Sequence, residues 1–134
     1  MFRSFFSKKP AALSGTPAVR RLKTYSAQSG YAYQYFYEGH RPFRSGGEGG
    51  TEFVFSVSAD RKSWHSTSVL LGDGAVRAWQ AAHQRELSST EQYAIAKMSL
   101  FQAFDDRPTP AQMKDEVHVR TGGVEAIMAT LDLE

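Results

Sequence analysis

The chain contains no cysteine. Disulfide staples, thiolate zinc sites and a cysteine nucleophile are therefore excluded, and the fold must rest on packing and hydrogen bonding. Long apolar runs are missing too. No stretch approaches the ~18 consecutive apolar residues that read as a membrane-spanning helix, and Met1 to Pro10 lacks the continuous apolar centre of a secretory signal. The expectation is a soluble, cytoplasmic protein without a transmembrane segment. Acidic residues are absent ahead of Glu38, whereas Arg3, Lys8, Lys9, Arg20, Arg21 and Lys23 all precede it. A basic front thus leads into a mildly acidic body. The overall net charge of +2 is too small to argue for nucleic acid by itself.

Catalytic and ligand signatures are equally sparse. The glycine run Gly46-Gly47-Glu48-Gly49-Gly50 lacks the Gly-Lys-Ser/Thr ending of a phosphate loop and is followed by a strand-like segment rather than a helix. Ser88 and Ser89 stand in no Gly-x-Ser-x-Gly elbow. His40, His65, His83 and His118 form no His-x-x-x-His pair, so no metal site and no cofactor is expected. No catalytic constellation emerges, and the chain leans away from an enzyme.

What is present fits one domain, since 134 residues fall within the ~100–150 typical of a single core. Residues 1–18 read as a flexible basic tail. Its Phe2, Phe5 and Phe6, with Arg3, Lys8 and Lys9, also fit weak peripheral membrane contact or a targeting segment. Residues 19–134 read as a single α+β domain, with strands over about 19–71 and helices over about 74–132. The predicted architecture is an antiparallel three- or four-stranded sheet followed by three or four helices packed on one face.

Alternation of side chains places Tyr31, Tyr33, Tyr35 and Tyr37 on one face of a strand ending near Glu38. A mobile glycine loop is expected next, then a strand whose Phe53, Phe55, Val57 and Ala59 face the core. A three-residue turn after Asp60 would set Val57 opposite Thr67, Phe55 opposite Val69 and Phe53 opposite Leu71. Asp73 is the expected cap of a first helix. Ser88 and Glu91 form a capping box for a second, whose stripe is Tyr93, Ala96, Leu100 and Phe104. Thr109-Pro110 signals a third. Thr121-Gly122-Gly123 reads as a break before a last short helix over Val124, Ile127, Met128 and Leu131.

Three functional readings follow. The first is a non-enzymatic binding or protein-interaction module, or a homodimer, using the tyrosine face, because tyrosine rings pack while their hydroxyls stay wet. The second is a single-stranded nucleic-acid platform in which the same rings stack bases and Arg20, Arg21, Lys23, Arg41 and Arg44 meet phosphates, although no RNP1 pattern is present. The third is a small-molecule enzyme at the loop site Glu38, His40, Arg41 and Arg44, with Glu38 orienting His40 as a general base.

Overall fold

In the computed structural model, which describes residues 11–132, four strands come first, and helices with one further strand follow. Strands β1 (Lys23–Ser26), β2 (Ala32–Ser45), β3 (Glu48–Ser58) and β4 (His65–Gly72) precede helices α1 (Asp73–His83) and α2 (Ser89–Asp106). A 3-10 turn (Pro110–Lys114) then leads into β5 (Val117–Val119) and helix α3 (Thr121–Asp132). The sheet order is β1-β2-β3-β4-β5. The first four strands pair antiparallel, whereas β5 lies parallel to β4. The sheet is thus mixed and five-stranded, not the antiparallel three or four strands expected. A parallel neighbour needs a long crossover, and α1 with α2 supply it.

The glycine run is not a mobile loop. Strand β2 continues through Ser45, and Gly46 and Gly47 alone turn the chain, at φ values of 59° and 84°. Two consecutive positive φ angles are what a two-residue hairpin turn with the twist of its flanking strands requires. The β3–β4 register also differs from expectation. Val57 faces His65, Phe55 faces Thr67 and Phe53 faces Val69, a shift of two residues that keeps the same side chains on the same face. The cause is Asp60. Its Oδ1 accepts from the amides of Lys62 (2.8 Å) and Ser63 (2.7 Å), holding residues 60–63 in a polar turn outside the ladder.

Phe53, Phe55 and Val57 are buried as the alternation requires. With Tyr33, Tyr35, Val69, Leu71, Val117 and Val119 they form the floor of one core. Its roof is Ala75 and Trp79 of α1, Ile95, Ala96, Leu100, Ala103 and Phe104 of α2, and Val124, Ile127 and Met128 of α3. All three helices therefore lie on one side of the sheet. The capping box of α2 is present, Glu91 N donating to Ser88 Oγ at 3.1 Å and Ser88 N to Glu91 at 2.9 Å. The Arg85 guanidinium and the Ser88 amide draw the Glu91 carboxyl down to about 2.

The other helix starts differ from expectation. Gly72 rather than Asp73 is the cap of α1, and no side chain satisfies its first amides. Thr109-Pro110 opens a 3-10 turn rather than an α-helix. Thr121-Gly122-Gly123 lies inside the first turn of α3 instead of breaking the chain. Asp105, which reads as a solvated helix end, ties α2 to the β1 region. Tyr25 Oη donates to its Oδ2 at 2.8 Å and the Gln28 amide to its Oδ1 at 2.9 Å.

Tyr33 carries a defect that can be tested. Its ring is fully buried, yet its hydroxyl has no hydrogen-bond partner. An unsatisfied buried hydroxyl costs about 1–3 kcal/mol. Tyr33→Phe is therefore expected to raise stability by about 1 kcal/mol, read as a higher urea midpoint at unchanged slope. A lower midpoint would mean that the hydroxyl has an unseen role.

Candidate functional site

The four tyrosines share a face, as the alternation demands, but α2 roofs most of it. Tyr33 stacks on Phe104 with centroids 4.3 Å apart, and Tyr35 meets Phe101 edge-on at 5.6 Å. Tyr33 and Tyr35 are buried, Tyr37 is half-buried and Tyr31 is exposed at the strand's start. Burial, joined by the neighbouring Tyr93, pushes the Tyr37 phenol up to about 12, and burial raises Tyr33 and Tyr35 as well. Bases or a partner protein cannot reach Tyr33 or Tyr35 without displacing α2. The expectation of an open tyrosine ladder is corrected accordingly. An aromatic cluster on one face is present, and it serves chiefly as core.

The loop site comes apart. Residues Tyr37 to Gly39 carry a β-bulge, with Gly39 at φ 135°, where the register to β3 slips by one. A bulge lets side chains on either side of it face differently from strict alternation. Glu38 therefore turns to the helix-free face, where it accepts from Ser56 Oγ and pairs with Arg20 at 3.2 Å. His40 is paired across the strands with Phe53 and faces the helices. Its Nδ1 lies 3.2 Å from the Tyr37 hydroxyl. Glu38 consequently cannot orient His40, which corrects the dyad expected from their spacing. Arg41 is engaged elsewhere, its Nε donating to Glu52 at 3.0 Å, and Arg44 is exposed near the hairpin end.

Residues ahead of β1 complete the bulge. Ser14 N donates to His40 O at 2.7 Å, and His40 N donates to Ser14 O at 2.9 Å. Thr16 Oγ1 donates to Glu38 O at 2.7 Å. A Cβ on Gly39 would stand 2.7 Å from Ser14 O, so only glycine lets this strap lie against the bulge. Part of the segment read as a tail is thus hydrogen-bonded to β2. Phe2, Phe5 and Phe6, with Arg3, Lys8 and Lys9, fall outside the described residues.

The helix-free face is organised by two groups that spacing did not single out. Phe36 and Trp64 pack with centroids 5.4 Å apart, and the Arg20 guanidinium lies 5.1 Å from the Phe36 centroid. Trp64 is two-fifths exposed. It stands just ahead of β4, where the Asp60 turn leaves it to lie across β2. Beside this pair, Glu52 collects hydrogen bonds from Arg41 Nε at 3.0 Å, Arg41 Nη2 at 3.3 Å and Ser68 Oγ at 2.6 Å. Burial would raise the Glu52 carboxyl, but the bonds from Arg41 and Ser68 outweigh it and hold the group below its usual range.

Comparison of the chain with models of known families, with curated proteins and with solved structures finds no match. Function must be read from geometry alone. Among the described residues no cluster of His, Asp or Glu is set to hold a metal ion, and no helix is long and apolar enough to cross a membrane. The remaining histidines stay apart. His83 pairs with Glu125 at 2.6 Å, His118 lies 3.4 Å from Glu116, and His65 Nδ1 lies 3.3 Å from Ser66 O.

Proposed function

We infer that this small α+β domain is a non-enzymatic protein-interaction module that works through its helix-free sheet face. The observation that carries the reading is the Phe36–Trp64 pair, an aromatic anchor on the sheet face that no helix among the described residues covers. Exposed tryptophan beside arginine is the composition found at the energetic centres of protein interfaces. Polar groups around the anchor are already satisfied within the face: Arg20 by Glu38, and Arg41 by Glu52. A surface of internally balanced charge favours a partner of similar balance, and a second copy of this nearly neutral chain meets that condition.

The same pairing argues against a nucleic-acid platform. Two of the arginines expected to meet phosphates are engaged by carboxylates, and the tyrosines expected to stack bases are mostly core. Self-association is tested by sedimentation equilibrium over a range of concentrations. The wild type is expected as a reversible dimer, and Trp64→Ala is expected to weaken the dimer at least about tenfold. A wild type that stays monomeric throughout, or a Trp64→Ala dimer of unchanged strength, removes the proposal.

A further inference from the structure

A second site lies on the other side of the sheet. A cleft of about 330 Å³ opens where the His40 end of β2 and β3 meets the first turn of α2. Three aromatic rings line it: Tyr37, Phe53 and Tyr93. Tyr37 and Tyr93 meet edge-on at 4.8 Å, and the His40 ring is 6.0 Å from Phe53. The strap contributes Gly15, where a Cβ would stand 2.9 Å from His40 Cε1, so the backbone lies flush against the imidazole.

The polar side chains of the cleft include His40, Thr51, Ser89, Thr90 and Gln92, and among the described residues no Asp, Glu, Lys or Arg lines it. The Tyr37 hydroxyl lies 3.2 Å from His40 Nδ1 and can donate to it. With Tyr37 as donor, the His40 ring presents its N–H at Nε2, which has no hydrogen-bond partner among the described residues. Aromatic walls, free N–H and O–H donors and the absence of any carboxylate together select a flat ring that bears an acceptor of negative charge.

We propose that this cleft binds small aromatic carboxylates, the ring packing among Tyr37, Phe53 and Tyr93 and the carboxylate accepting from His40 Nε2 and Thr90. The site is independent of the helix-free face and stands or falls separately from it. An ammonium ligand would find no counter-charge in the cleft, and a neutral alcohol would use the donors only in part.

The test is a two-dimensional NMR titration of the full chain with sodium benzoate, and with benzyl alcohol and benzylamine at the same concentrations. Benzoate is expected to shift the amides of Gly15, His40, Thr51 and Thr90, with affinity in the range of about 1 mM. Benzyl alcohol and benzylamine are expected to bind at least about tenfold more weakly. His40→Ala should weaken benzoate about tenfold, and Thr90→Ala, an exposed position that leaves the fold intact, about threefold. The spectrum itself reports whether each variant is folded. Equal binding of the three probes, shifts scattered away from the cleft, absence of any shift, or benzoate affinity unchanged in Thr90→Ala and in folded His40→Ala would each overturn the assignment.

Discussion

Phe104→Ala is expected to lose about 3–5 kcal/mol of stability, the range for removing a fully buried aromatic ring. Phe104 has no exposure and sits at the junction of three tyrosines. It stacks on Tyr33 at 4.3 Å and on Tyr25 at 5.7 Å, and it lies 6.1 Å from Tyr35. Removing it opens a cavity under the last turn of α2 and leaves the buried Tyr33 ring without its stacking partner. Surrounding rings are too rigid to collapse into the space, so the cost falls toward the upper part of the range. Denaturant unfolding followed by circular dichroism reads the change. Since most small domains have only about 5–15 kcal/mol in total, a loss below about 1 kcal/mol would show that α2 is not the main cover of the sheet.

Glu52→Ala is expected to lose about 2 kcal/mol at neutral pH, because it leaves the Arg41 guanidinium and the Ser68 hydroxyl without their shared acceptor. Arg41 and Glu52 retain side-chain exposures of only 23% and 16%, so solvent replaces the lost bonds only in part. The pH dependence has a definite sign. The folded pKa of Glu52 lies below its ordinary value of 4.5. Its contribution is therefore fully present above pH 4.5 and is lost as pH falls from there through the folded value. Glu91, held at about 2 by Arg85 and the Ser88 amide, adds loss in the same direction. Urea midpoints of wild type and Glu52→Ala should accordingly converge as the solution is acidified below pH 4.5. A gap that stays constant with pH would mean that the variant acts through packing and not through the carboxylate.

Much of the architecture was legible because it follows from local periodicity. The alternation of Phe53, Phe55 and Val57 marked a core face, and burial agrees. Ser88 and Glu91 announced the start of α2, and both halves of the capping box are made. Strand β5 was not legible, for three residues with the pattern Val-His-Val carry too little periodicity to be told from a loop. It forms because Val117 and Val119 find Val69 and Leu71 beside them. The β3–β4 register was missed by two residues because a shift of two preserves every facing and costs the hydrophobic pattern nothing. The polar turn decides between the two alignments, through the bonds to Asp60 and that of the Arg61 amide to Ser58 Oγ.

The candidate sites were less legible than the fold. His40 stands at the loop site that the sequence points to, but its neighbour is Tyr37 and not Glu38. Nothing in a spacing of two announces that a bulge will turn Glu38 toward Ser56 and His40 toward Phe53. Trp64 is not legible as a surface group because a tryptophan at the head of a strand and one folded across a neighbouring strand have the same sequence.

The sequence by itself determined that the antiparallel strands would precede the helices, that one glycine-rich hairpin would join the two long strands, and that four tyrosines would line a single face. These follow from side-chain period and turn chemistry, which act over a few residues. Tertiary structure alone decided which face the helices cover, and so made Tyr33 and Tyr35 core while leaving half-buried Phe36 and exposed Trp64 on the other face. It also decided that residues 14–16 would strap the bulge and that His40 would line a cleft with Tyr93. Those choices depend on contacts between residues 20 to 80 positions apart, such as Ser14 with His40 and Tyr25 with Asp105. Contacts at that range are selected by the packing of the whole core, and no local pattern encodes them.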